Sequence, residues 1–154
     1  MLVIISDLHL NDGTTGKTVS TDAFVRFRGR LNDLAYYASY RYDRPGSYEP
    51  LKRLDLVLLG DVLDVIRSTQ WSAEKPGHPD YARPWFDLED DGQRAIMARK
   101  VDQITDAILA KNKDALKQLQ RLAGDKPLML PPATAKGVPA RNVKRQPVET
   151  HIHY

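Results

Sequence analysis

Leu54-Asp55-Leu56-Val57-Leu58-Leu59-Gly60-Asp61 is a short apolar run that stops at a glycine and a carboxylate. A run of this length, rich in branched side chains and bounded by a turn residue, reads as a strand buried on both faces. Working back toward the N-terminus, Leu2-Val3-Ile4-Ile5 has the same character and ends in the polar loop Ser6-Asp7-Leu8-His9-Leu10-Asn11-Asp12-Gly13. Between the two runs, Phe24, Phe27, Leu31, Leu34 and Tyr37 fall at helical spacing, so a helix is expected over residues 21–40, with Ser20 or Thr21 as cap. Arg26, Arg28 and Arg30 lie on its other face, and with Arg41 they read as a solvated basic surface. Strand, helix, strand is a βαβ unit, which makes parallel neighbours and brings both strand ends to one edge of a sheet. Open α/β sheets bind ligands at that edge.

Downstream, residues 68–91 are rich in proline, glycine and aromatics, including Trp71, Pro76, Gly77, His78, Tyr81, Trp85 and Phe86. Loops this long inside a domain are uncommon and either anchor on their own aromatics or serve as lids. The aromatics of this segment could also stack a nucleic-acid base. His78 reads as a loop histidine. Residues 91–123 form the clearest helical stretch, with Met97, Val101, Ile104, Ile108, Ala115, Leu119 and Leu122 on one face, a break expected near Asn112 and Gly124 as a stop. The reading thus takes 1–125 as one domain portion carrying the 68–91 loop as an insertion. Prolines at 127, 131, 132, 139 and 147, interspersed with Lys136, Arg141, Lys144 and Arg145, make 126–154 an extended basic connector. It leads into Glu149-Thr150-His151-Ile152-His153-Tyr154, which alternates like the start of a strand.

Composition narrows the chemistry. With 154 residues the chain can bury one core. It contains no cysteine, which removes disulfides, thiolate metal sites and cysteine nucleophiles and leaves Asp, Glu, His and Asn as ligands. A net charge of +3 suits an anionic substrate without pointing to nucleic acid. No run is long and apolar enough to span a bilayer, and Asp7 and His9 interrupt any signal-peptide core, so a cytoplasmic location is expected.

Two clusters of metal-binding residue types follow the two apolar runs: Asp7-x-His9, and Gly60-Asp61-x-x-Asp64. Carboxylate oxygens suit hard divalent cations, and imidazole suits zinc, manganese, iron or nickel. On an extended backbone, residues i and i+2 point to the same side, so Asp7 and His9 are expected to aim at one site. Gly60 allows the backbone to approach a ligand closely, and Asp61 is placed to share the cation. Either cluster alone is also what a strand-end cap looks like; the pair on one predicted edge is a stronger signal.

Ile5-Ser6-Asp7-Leu8-His9-Leu10 followed by Leu58-Leu59-Gly60-Asp61-Val62-Leu63-Asp64 resembles the first two motifs, D-x-H and G-D-x-x-D, of the calcineurin-like metallophosphoesterases. The separation of roughly fifty residues with an intervening helix is similar too. The resemblance implies an α/β sandwich and a dinuclear site of Mn, Fe, Zn, Ni or Mg acting on a phosphate ester. It also implies that Asp7 and His9 bind one metal, that Asp61 bridges both, and that Asp64 orients a ligand from behind. Arg67 could reach a substrate phosphate. The family's later motifs, G-N-H-[DE] and G-H-x-H, have no counterpart here, and with them the family's catalytic histidine is missing. The expectation is therefore a partial metallophosphoesterase-type α/β fold, truncated, with at most one well-formed metal position and little activity as this chain alone. His151 and His153, an oligomer or a complementing chain could supply missing ligands. The alternative is a non-catalytic α/β binding or structural module that keeps the strand-end carboxylates. The resemblance leaves the substrate at the level of a phosphate ester, with nucleic acid one candidate among several.

Overall fold

The computed structural model describes residues 1–86 and 89–154, so Asp87 and Leu88 of the expected 68–91 loop lie outside the described residues. The chain is mixed α/β and divides into two compact units: Met1–Ser6, Thr21–Leu59 and Lys117–Tyr154 in the first, Asp7–Ser20 and Gly60–Leu116 in the second. Among the described residues no helix is long and apolar enough to cross a membrane.

The first unit is built on a four-stranded sheet. Its strands are β1 (Leu2–Ser6), β2 (Arg53–Leu59), β3 (Leu128–Leu130) and β4 (Gln146–His153), in the order β1-β2-β4-β3. β1 and β2 run parallel with Leu2 opposite Asp55 and Ser6 opposite Leu59, joined through helix α1 (Thr21–Tyr37) as the βαβ pattern requires. β4 lies parallel to β2 on its other side, and β3 closes the sheet antiparallel to β4. The segment whose prolines read as an extended connector thus supplies two of the four strands. Pro127 and Pro131 flank β3 rather than interrupt it, and Pro147 sits opposite Met129 in the short β3–β4 pairing.

One face of the sheet is buried. Leu54, Leu56 and Leu58 of β2, Val148 of β4, and Leu128 and Leu130 of β3 are all buried, as are Phe24, Leu31 and Ala35 of α1, which packs on β3. The opposite face corrects the expectation that both apolar runs are buried on two sides. Leu2 and Ile4 of β1 are 61% and 56% exposed, and Leu59 of β2 is 56% exposed. β1 pairs only with β2 and forms an edge of the sheet, and its burial alternates with the period of the pleat. A continuous apolar run looks the same in sequence whether one face or both are covered. Leu34 and Tyr37, expected on the buried face of α1, are likewise exposed; Ala35 takes the inward position.

The open face carries a polar cluster instead of a core. His151 and His153, stacked with ring centroids 6.3 Å apart, point their Nε2 atoms at Glu149 (2.9 Å) and Asp55 (3.0 Å) respectively. Hydrogen bonds from the Arg53 guanidinium, and then from His153, hold the Asp55 carboxyl well below its ordinary value. Each histidine is thereby paired with a carboxylate of the sheet.

The second unit is held by helix α2 (Asp91–Lys111) and the first turn of α3 (Lys113–Ala123), which follow each other across Asn112 at the expected break. Asp90 caps α2, its carboxylate accepting from the Gln93 amide at 2.8 Å. Ile104, Ile108 and Ala115 are buried with Leu10, Trp71 and Ala82. Trp71 sits on a short 3₁₀ turn, Thr69–Ser72, against α2, and its indole N–H donates to the Val65 carbonyl at 2.9 Å. Arg83 ties the following residues down by donating to the carbonyls of Trp71, Ala82 and Glu74. Over its described residues the aromatic loop is anchored by Trp71, whereas Trp85 is 77% exposed.

Candidate metal centre

Asp7, His9, Asp61, Asp64 and Arg67 all belong to the second unit, where backbone pairing brings the two motifs together. The His9 amide donates to the Asp61 carbonyl at 2.9 Å, the Leu10 amide to the Val62 carbonyl at 3.0 Å, and the Asp64 amide to the Leu10 carbonyl at 2.8 Å. Residues more than fifty positions apart in sequence are therefore fixed in register over one turn of chain. Leu10, fully buried, anchors this pairing in the core of the unit.

The backbone there is not the extended one expected for Asp7-x-His9. Asp7 and His9 have φ of 55° and 46°, in the left-handed region. Asp and His tolerate that region better than most residues, but it still costs on the order of 1–3 kcal/mol and tends to persist where the surroundings enforce it. Two such residues flanking Leu8 kink the chain so that His9 and Leu10 can pair with residues 61–63. The contact at Gly60 is equally demanding. Its φ is 73°, and a Cβ added there would lie 2.6 Å from Asp7 Oδ1. The Asp7 carboxylate occupies the space that any other side chain at position 60 would need.

Behind His9 stands Asp64, buried, with Oδ2 3.3 Å from His9 Nδ1 and 3.1 Å from Arg67 Nε. Neither His9 Nδ1 nor Asp64 Oδ2 completes a well-directed hydrogen bond, so the contact is electrostatic rather than directional. With Nδ1 facing this carboxylate, Nε2 is the His9 nitrogen left to bind a cation, the usual arrangement for a ligating imidazole. Arg67 is two-thirds exposed and bound to Asp64 through one edge of its guanidinium. Asp7 and Asp61 are exposed, and among the described residues neither takes part in an ion pair. Carboxylates and an imidazole are donor types that suit a divalent cation. As they stand, no three His, Asp or Glu side chains among the described residues are gathered closely enough to hold one. Neither His151 and His153 on the sheet nor His78, which contacts Glu74, belongs to such a group.

The hydrogen-bonding roles of three supporting residues are not visible in the sequence. Asp12 joins the loop after His9 to the loop after Asp64: one oxygen accepts from the Thr14 amide and hydroxyl at 3.0 and 2.6 Å, the other from Ser68 Oγ at 2.5 Å and Gln70 Nε2 at 3.0 Å. Asn112, buried at the break between α2 and α3, donates to the Asn11 and Ile108 carbonyls and accepts from Thr18. Ser68 also caps the 3₁₀ turn that carries Trp71. The Asn-Asp-Gly-Thr sequence at 11–14 is a turn signature that hints at Asp12; its partners are remote in sequence and leave no local trace.

Partial burial pushes the Asp12 carboxyl up, but its hydrogen bonds from Ser68, Thr14 and Gln70 outweigh this and hold it down at about 2, against an ordinary 3.8. A carboxyl lowered on folding contributes stability that is present above its unfolded value and lost as pH falls through the folded one. Wild-type stability is therefore expected to fall more steeply than that of Asp12→Asn as pH drops from 3.8 to about 2. Urea denaturation followed by circular dichroism across this window checks it; parallel pH profiles would show that Asp12 titrates alike in both states.

No family model, no curated protein and no solved structure matches the chain.

Proposed function

We propose that the second unit binds a divalent cation through Asp7, His9 and Asp61, and that the chain is a metal-dependent phosphoester hydrolase of the calcineurin-like lineage. The observation that carries this reading is the backbone pairing of the two motifs, with the Asp7 carboxylate seated on Gly60 and Asp64 behind His9. The observed α/β class is compatible with the sandwich of that family.

A divalent cation held by Asp7, His9 and Asp61 would supply activation of water and neutralisation of phosphoryl charge. The protein's own contributions are positional. Asp64 lies against the Nδ1 side of the His9 ring, which leaves Nε2 as the nitrogen for a cation, and Asp7 and Asp61 each bring a carboxylate on the two segments that meet there. Arg67, its outer guanidinium edge in solvent, offers a cationic donor for a substrate phosphate. This donor set provides for at most one metal position, so little turnover is expected from the chain alone.

A second reading, a non-catalytic α/β module, is favoured by one observation: no three-donor group is preassembled among the described residues. Calorimetric titration with manganese separates the two. The hydrolase reading expects binding that weakens at least about tenfold, or 1.4 kcal/mol, in both Asp7→Ala and Asp61→Asn. Absence of binding to the wild type supports the module instead. Substantial hydrolysis of a chromogenic phosphodiester, lost in Asp61→Asn, would overturn the expectation of low activity.

A further inference from the structure

We propose that a groove in the first unit binds a single strand of nucleic acid, with arginines on the phosphates and tyrosine rings against the bases. The groove has a volume of about 980 Å³ and is lined by Tyr36, Tyr40, Arg141, Asn142, Val143 and Arg145, among others. Among the described residues no acidic one lines it. The sequence from Lys126 to Val148 contains no Asp or Glu, yet carries Lys136, Arg141, Lys144 and Arg145. Among the described residues neither Arg141 nor Arg145 is engaged in a salt bridge. The acidic side chains of the nearby segment 41–49, Asp43 and Glu49, are both taken by Arg41. The positive field of the groove is thus uncompensated.

The aromatic wall is a packed cluster of three rings. Tyr36 and Tyr40 meet edge to face at 5.7 Å with their hydroxyls 3.1 Å apart, and Tyr48, buried and bonded to the Pro131 carbonyl, props both rings from behind. Aromatic rings beside guanidinium groups are the features single-strand binders use, because every base has a stacking face and every nucleotide a phosphate. Paired bases in a duplex would hide those faces. This inference does not depend on the hydrolase reading, since every lining residue belongs to the first unit.

The test is fluorescence anisotropy with a labelled oligothymidylate of about twelve nucleotides, within the usual range of single-strand site sizes. Binding is expected to weaken at least about tenfold in Arg141→Glu/Arg145→Glu, and several-fold in Tyr40→Leu, with circular dichroism confirming that each variant folds. Two phosphate contacts predict a slope of about −1.4 for log affinity against log salt. Arg30→Glu, an exposed charge change on α1 outside the groove lining, should leave binding unchanged. Failure of the wild type to bind would overturn the proposal. So would equal weakening by Arg30→Glu, or an abasic strand bound as tightly as the oligothymidylate.

Discussion

Trp71→Ala is expected to destabilise the protein by about 3–5 kcal/mol, the range for removing a buried aromatic side chain. Trp71 is only 5% exposed, and its loss also strips the Val65 carbonyl of the indole donor that now sits at 2.9 Å. Because Val65 follows Asp64, the same substitution loosens the support behind His9. Trp71→Phe keeps most of the ring and loses the hydrogen bond, and should cost only about 1 kcal/mol beyond the change in packing. Urea denaturation read by circular dichroism gives both values. A Trp71→Ala effect below about 1 kcal/mol would mean that the aromatic loop is not part of the cooperatively folded unit.

Gly60→Ala carries the second large effect, and it acts on the candidate metal centre directly. A φ of 73° costs a residue with a Cβ about 1–2 kcal/mol. The new methyl would also stand 2.6 Å from Asp7 Oδ1, so the Asp7 side chain must turn away. Two readouts follow. Stability should fall by at least the backbone cost, and manganese affinity should fall about as far as in Asp7→Ala. The double variant Asp7→Ala/Gly60→Ala removes the collision but not the backbone strain, so the two stability effects should be less than additive. Strict additivity would show that the Asp7 carboxylate does not rest on Gly60.

How much of this was legible in the sequence depends on how local each signal is. The strands over 2–5 and 54–59 announce themselves as apolar runs, and the helix break at Asn112 follows from the interrupted periodicity around it. Which faces of the strands are covered was not legible, because Leu2 and Ile4 are aliphatic whether or not anything packs on them. β3 was hidden for a different reason. Leu128-Met129-Leu130 is three residues between prolines, and only its pairing with β4 makes it a strand. At the candidate site, the residue types and the two motifs could be read, but the left-handed turns at Asp7 and His9 could not. Those conformations come from the pairing of Leu10 with Leu63, a contact between distant segments. The groove residues Arg141 and Arg145 were visible as charges in a basic connector. Nothing in that stretch indicated that Tyr36 and Tyr40 would stand beside them.

The position of β4 has a consequence for how the molecule is made. On the ribosome β1, β2 and β3 all emerge before it, yet β3 touches no other strand until residues 146–153 arrive to stand between it and β2. Until then β2 offers a vacant edge, with every hydrogen bond on that side unmade. Closing the gap joins segments far apart along the chain, a slow kind of event because long loops must be closed before any contact rewards them. The nascent chain is thus most open to wrong strand pairing in the interval between the emergence of β2 and that of β4.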